Sequence, residues 1–369
     1  MPERCVSPNC RSLQASSCTP IDAAAQRSYG GKAMKFEPLM ATSVGSLPRP
    51  SWLAATERSR ASFRLEGEAL REAQDDATLL ALREQEEIGL DLLTDGEQRR
   101  ESFVYHAAAT WDGIDMTDQR EKETYRNRKS PRLVPRVTGK VVRRAAACLD
   151  EVRFAKAHTQ RPVKVAVAGP MTVIDSTLDE FYADEAALAM DIAAAVNAEL
   201  IDLQAAGCDV LQLDEPAMTR YHDKVFAYGA KALDRCLEGV RVPTFVHLCF
   251  GYPGGLALQH QFAYPELLEA LLATRIGGLT VEFARSDFDP AVLKVCRDRL
   301  IMFGCIDPGD TPVPSVDTVK ARVRQALAHL DPQRLLLAPD CGLMTISRSL
   351  AREKLRVMVE AARQLRREL

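Results

Sequence analysis

The chain has 369 residues, 46% of them hydrophobic and 27% charged, with a formal net charge of -3. That balance suits one large globular domain or two ordinary ones and gives no electrostatic reason to expect nucleic acid or an anionic membrane as partner. No uninterrupted apolar stretch approaches the ~20 residues of a membrane-spanning helix, so a soluble, cytoplasmic protein is expected.

Residues 1–34 are rich in Ser, Ala, Pro and Gly, lack an apolar period and read as a disordered tail. Cys5 and Cys10 could bind metal, but no matching second pair accompanies them. The 10 cysteines are scattered, which fits reduced thiols rather than a disulfide framework. Cys208 and Cys305 sit in apolar runs and read as core fillers.

From Leu39 onward a short apolar strand, a polar loop and a long amphipathic helix recur. Strands are expected near 40–45, 90–95, 163–168, 209–214, 243–249, 279–283, 300–306 and 335–340. Helices are expected near 66–88, 139–158, 184–206, 222–239, 264–275, 290–298, 316–330 and 347–367. Gly89 and Gly207 follow helical patterns directly and suit left-handed helix ends. Continuous apolar strands such as Val163-Lys164-Val165-Ala166-Val167 suit a parallel sheet covered by helices. Eight alternating units predict one α/β domain over 35–369, a single (β/α)8 TIM barrel. No Gly-x-Gly-x-x-Gly turn follows the first strand to favour an open sheet. One segment breaks the rhythm: residues 98–138 are polar and basic, and read as a long loop on the strand-to-helix side, a lid or a solvated charged loop.

Active sites of such barrels lie at the C-terminal ends of the strands. Ser46, Glu97, Gly169-Pro170-Met171-Thr172, Asp214-Glu215, His247-Leu248-Cys249, Glu282, Asp307 and Cys341 all fall there. His247 and Cys249 are two apart on a strand and so point the same way. Glu282 stands among apolar neighbours, where an unpaired carboxylate would cost several kcal/mol or be protonated, and a cation removes that penalty. His247, Cys249, Glu282 and Cys341 together offer Zn2+ one nitrogen, two sulfurs and one oxygen. Such an electron-rich site makes hydroxide poorly but can bind a thiol as thiolate. A core histidine and a helix-capping Asp214 or Glu215 are the alternative readings.

These residues and their order resemble the catalytic domain of cobalamin-independent methionine synthase over roughly residues 40–368. The resemblance is carried by Val44-Gly45-Ser46-Leu47-Pro48, Asp95-Gly96-Glu97, Gly169-Pro170-Met171-Thr172, Leu213-Asp214-Glu215-Pro216-Ala217, His247-Leu248-Cys249, Val281-Glu282 and Pro339-Asp340-Cys341-Gly342-Leu343. It implies a zinc barrel that transfers a methyl group to homocysteine sulfur, with His247, Cys249, Glu282 and Cys341 as metal ligands. It also implies that Ser46, through its backbone, and the Glu97 and Asp214 carboxylates hold the amino-acid end of homocysteine. The short core members of the family are the nearer likeness, because the full-length enzyme carries a second N-terminal barrel. Ser176 stands where the family's pteridine-stacking tryptophan would fall, and Gly309 is near the place of its catalytic histidine. The methyl donor is therefore open between methyl-tetrahydrofolate and a methyl-corrinoid, the latter free or delivered by a partner protein. Asp307 or Asp310 would supply protons in place of the histidine. Three rivals stand beside this reading: alkyl transfer to another thiol such as coenzyme M, a uroporphyrinogen-decarboxylase-like lyase, and a non-catalytic zinc barrel. The sulfonate acceptor conflicts with the acidic Glu97 and Asp214, and the lyase needs no zinc.

Overall fold

The computed structural model describes residues 34–56, 62–123, 131–250, 264–286, 288–296 and 298–369, so the tail, Cys5 and Cys10 lie outside the described residues. Six parallel strands form one sheet in spatial order β3 (Lys164–Ala168), β5 (Val210–Asp214), β6 (Thr244–His247), β7 (Gly278–Glu282), β8 (Leu300–Ile306) and β9 (Leu335–Pro339). Two short extended stretches complete the ring through single parallel bridges: Ala41 to Leu337, Thr42 to Leu92 and Leu93 to Val163. Hydrogen bonds follow the same path, Thr42 N to Leu337 O at 2.9 Å, Asp91 N to Ala41 O at 2.8 Å and Lys164 N to Leu93 O at 2.8 Å. The sheet thus closes into the expected (β/α)8 barrel, with its first two staves reduced to a few residues.

Strand parity decides what faces inward. Met40, Val44, Leu92, Val210, Phe245, Met302, Leu336 and Ala338 form one buried cluster inside the barrel. The alternate residues, Val165, Leu211, Leu213, Val246, Leu279 and Val281 among them, join the larger core between the sheet and the helices. Asp214, His247 and Glu282 share parity with the inward set, so each ends its strand pointing into the barrel mouth.

The outer layer includes α1 (Gly67–Ile88), α3 (Leu149–His158), α5 (Glu185–Ala205), α7 (Ala230–Cys236), α8 (Tyr264–Leu272), α9 (Val316–Leu327) and α10 (Arg348–Arg366). Gly89 closes α1 at φ 97°, left-handed as its place in the sequence suggested. The expected helix at 222–239 is three pieces, α6 (His222–Lys224), a π-helical turn at Val225–Gly229, and α7. The 290–298 helix is a 3-10 turn, Pro290–Cys296.

Residues 98–138 depart most from expectation. They contain the short α2 (Tyr105–Ala108) and β1 (Trp111–Lys122), which pairs antiparallel with β2 (Arg132–Arg143). β2 also pairs in parallel with β4 (Leu178–Asp179), giving a second, three-stranded sheet. The helix expected over 139–158 therefore begins only at Leu149. The hairpin is stabilised by burying Trp111, Ile114, Val134, Val137 and Val141, while arginines and lysines occupy its outer side. No helix among the described residues is long and apolar enough to cross a membrane.

Candidate metal and substrate site

The mouth of the barrel gathers three sulfur and nitrogen donors from opposite parts of the chain. His247 ends β6, Cys249 follows two residues later, and Cys341 follows β9. Their donor atoms all lie within 4.8 Å of one another. The two sulfurs are 3.4 Å apart, within reach of a thiol hydrogen bond and not joined by a disulfide. Two 2.3 Å zinc–sulfur bonds at a tetrahedral angle would set them about 3.8 Å apart, so little adjustment is needed.

His247 is buried at 3% exposure, and neither ring nitrogen has a hydrogen-bond partner. Burial pushes its pKa down to about 3, with Lys164 adding to the effect; the Thr280 backbone opposes it without forming a well-made bond. A neutral imidazole with both nitrogens orphaned in a dry site is costly unless something else binds it. Metal coordination would satisfy one nitrogen.

Glu282 meets this triad through Cys249, its hydrogen-bonding neighbour, and accepts from the Phe250 amide at 3.1 Å. Burial, with Cys249 and Asp340 beside it, drives its pKa far above the ordinary carboxylate range. A proton or a cation must accompany that carboxylate. Asp340 fixes the loop next to it, accepting from the amides of Phe283, Ala284 and Arg285 at 3.0, 2.9 and 2.9 Å. The donor set present thus fits a borderline-soft divalent ion.

The acidic half of the mouth lies on the first, second and fourth staves. Glu97 follows Gly96, and both are left-handed, at φ 55° and 70°. For glutamate that conformation is strained, as is common where a side chain must be aimed. A Cβ on Gly45 would stand 2.6 Å from Glu97 Oε1, so glycine there lets the carboxylate lie against the backbone. Glu97 Oε2 is buried without a partner. Burial raises the Glu97 pKa to about 7, Arg100 opposing and Asp214 and Asp95 adding to it. Asp214 is raised to about 6, again by burial, against a hydrogen bond from Gln212 and the charge of Lys164. Ser46 sits against Gly342, where a Cβ would fall 2.0 Å from its Oγ. Its carbonyl accepts from Leu343 at 2.9 Å.

Asp307 and Asp310 are not drawn into this group. Asp307 Oδ1 accepts from the Gly309 amide at 2.7 Å within its own turn. Lys354 pins the same turn through the Asp307 and Gly309 carbonyls, and Asp310 is exposed. The alternative reading has Asp214 or Glu215 capping a following helix; Glu215 instead caps the preceding α4 (Pro170–Asp175). It accepts from the Met171 and Thr172 amides at 3.0 and 2.9 Å and from the Thr172 hydroxyl at 2.8 Å.

The sequence reading passed over two buried networks. Lys164 and Gln212 lie inside the barrel, each a polar residue in an otherwise apolar strand, and that interruption was the available signal. Arg100 pairs with Glu151 at 2.6 Å, both 2% exposed, and His106 joins Glu151 at 3.0 Å. His106, Cys148 and Glu151 also lie within 4.8 Å of one another, but Arg100 already supplies the cation there.

The fold and this mouth define a (β/α)8 barrel that presents sulfur and imidazole donors on one side and buried carboxylates on the other. Residues 39–364 match the family described as cobalamin-independent synthase, catalytic domain, and the chain belongs to it. It is 30% identical to the methionine synthase of Pyrococcus abyssi over 337 residues, 90% of this chain and 94% of that one. It is 32% identical to that of Sulfolobus acidocaldarius over 335 residues, 90% of this chain and 93% of the relative. Among solved structures, the B12-independent methionine synthase from Shewanella sp. W3-18-1, in complex with selenomethionine, superposes with a TM-score of 0.84 at 30% identity. That match covers 90% of this chain and 99% of the other.

Proposed function

We propose that this chain is a zinc-dependent methyltransferase that moves a methyl group from methyl-tetrahydrofolate or a methyl-corrinoid to the sulfur of homocysteine, forming methionine. The observation that carries this reading is the buried imidazole of His247, with no hydrogen-bond partner at either nitrogen, beside two sulfurs 3.4 Å apart that no disulfide joins, in a chain of this family. His247, Cys249 and Cys341 would hold the ion, with Glu282 as the fourth and weakest ligand. Zinc there supplies a thiol-binding centre that lowers the substrate thiol's pKa while two thiolates and a carboxylate keep the sulfur nucleophilic.

The protein's own groups do the rest. Glu97 and Asp214 take the substrate ammonium, whose charge offsets two carboxylates held in a dry site. The Ser46 amide faces the substrate carboxylate. Binding at both ends places the sulfur toward the metal side of the mouth, and the gain is one of orientation. Asp340 keeps the loop beside Glu282 in place through its amide bonds. Asp307 or Asp310, on the loop after β8 and outside the group at the mouth, would have to approach the bound donor to pass a proton to its leaving group. The donor reaches the site free or on a partner protein, and the reaction belongs to the cytoplasm. The paired carboxylates disfavour a sulfonate acceptor such as coenzyme M by like-charge repulsion.

The test combines purified, zinc-loaded protein with homocysteine and either methylcobalamin or methyl-tetrahydrofolate and follows methionine. Methionine from one donor supports the reading and names the donor. No product from either, with one zinc per chain, overturns transfer from these donors and turns attention to another thiol.

A further inference from the structure

Beneath the carboxylates, inside the barrel, lie two polar side chains that the chemistry above does not use. Lys164 opens β3 and Gln212 is at the middle of β5, and both are fully buried. The Lys164 ammonium donates to Gln212 Oε1 at 2.7 Å and to the Val44 carbonyl at 2.9 Å. The Gln212 amide nitrogen donates to Asp214 Oδ1 at 2.8 Å and to the same Val44 carbonyl at 3.0 Å. Phe245 and Met302 occupy the same interior, which is otherwise apolar.

Burial lowers the Lys164 pKa to about 7, against the charges of Asp214 and Glu97, and with Lys164 protonated the order of donors and acceptors along this chain is fixed. An ammonium can only donate, whereas a carboxamide has one accepting and one donating end. Lys164 therefore draws the oxygen of Gln212 to itself and turns the NH2 toward Asp214. Reversing the amide would set oxygen against ammonium-free carboxylate and leave Lys164 without its second acceptor. The Val44 carbonyl, held from both sides, leads directly into Gly45 and Ser46, against which Glu97 packs.

We propose that Gln212, oriented by Lys164, is a positioning residue for recognition of the substrate's amino group, fixing the Asp214 carboxylate relative to the Val44–Ser46 turn. The proposal rests on the reading of Asp214 as an ammonium partner. Its advantage is preorganisation: the carboxylate meets its ligand without first giving up rotamer freedom. A purely space-filling role for the pair would affect every ligand of the pocket alike.

The experiment is calorimetric binding to the full, metal-loaded chain of two probes, methionine and its deaminated analogue 4-(methylthio)butanoate. In Gln212→Met the methionine affinity should fall about tenfold or more, the scale of a lost hydrogen bond to a charged group. The analogue's affinity should stay within about twofold of wild type, since the charged partner of that bond is missing from it. Gln212→Leu, which also lacks the donor and is no larger, carries the same expectation if Gln212→Met does not fold. Lys164→Met should weaken methionine in the same sense, by freeing the amide to turn. Equal losses for both probes, no loss for either, or tighter methionine binding in Lys164→Met would each overturn the proposal. A wild-type protein that binds both probes equally refutes the ammonium reading and the proposal with it. A wild type that discriminates, with variants that discriminate as well, refutes the positioning role alone.

Discussion

Cys249 and Cys341 stand 92 positions apart in the chain, and their sulfurs meet at 3.4 Å with no disulfide between them. Under the proposed ligand set, that pair should govern metal retention. Cys341→Ser should lower zinc affinity more than about 100-fold, beyond what losing an outer hydrogen-bond partner costs, and should abolish methionine formation. Metal analysis of the purified variant checks it, and full zinc occupancy would remove Cys341 from the ligands.

Asp214→Asn replaces a carboxylate by a neutral isostere at the proposed ammonium site. We expect the KM for homocysteine to rise about tenfold or more, with zinc still bound at one per chain. An unchanged KM would take Asp214 out of amino-acid recognition.

The buried Glu97 carboxyl predicts opposite effects of pH on binding and on stability. Its pKa is raised from 4.5 to about 7 by burial, so the group is neutral below that value and charged above it. The folded state holds this proton more tightly than the unfolded chain, so stability present at low pH is lost as pH rises through about 7. Removing the charge in Glu97→Gln should therefore stabilise metal-free protein above pH 7 by roughly 3 kcal/mol in denaturant titrations. Ammonium binding runs the other way and needs the ionised form. Methionine, whose thioether does not titrate, should bind wild type more weakly as pH falls below about 7. A flat affinity between pH 8 and 5.5 would exclude Glu97 from the ammonium contact.

The Arg100–Glu151 pair is a structural commitment rather than a catalytic one. Burial raises the Glu151 pKa, but Arg100 and His106 more than offset it and hold the carboxyl well below its usual range. Its contribution is present above the unfolded carboxylate value and fades only as pH falls through the depressed folded one. Arg100 also donates to the Ala166 carbonyl of β3 at 2.7 Å. Arg100→Met strands a buried carboxylate and should cost about 3–5 kcal/mol in chemical denaturation. Adding Glu151→Leu should recover most of that loss, and a double variant no better than the single one would refute the pairing argument.

The barrel was legible because apolar strands and amphipathic helices alternate with different periods, and Gly89 marks one of the joins at φ 97°. The first two staves were harder to bound, since only single bridges at Ala41, Thr42, Leu92 and Leu93 tie them into the ring. The β1–β2 hairpin was misread as a loop. Its charged outer residues mask the sparse buried set of Trp111, Ile114, Val134, Val137 and Val141. At the mouth, strand parity was enough to turn His247 and Glu282 inward; Cys249 lies two residues past the end of β6, which stops short of the strand expected over 243–249, and the ring closure supplied Cys341. Lys164 and Asp340 were not legible as partners, because their bonds reach nearby staves that are distant in the chain and leave no local spacing in the sequence.

The sulfur pair joins β6 to the loop after β9, with β7 and β8 between them in the sheet. It cannot exist in a nascent chain until the last stave has docked. Under the proposed ligand set, ion capture would wait until the ring is assembled, and a partly synthesised polypeptide on the ribosome would offer scavenging metals only separate thiols.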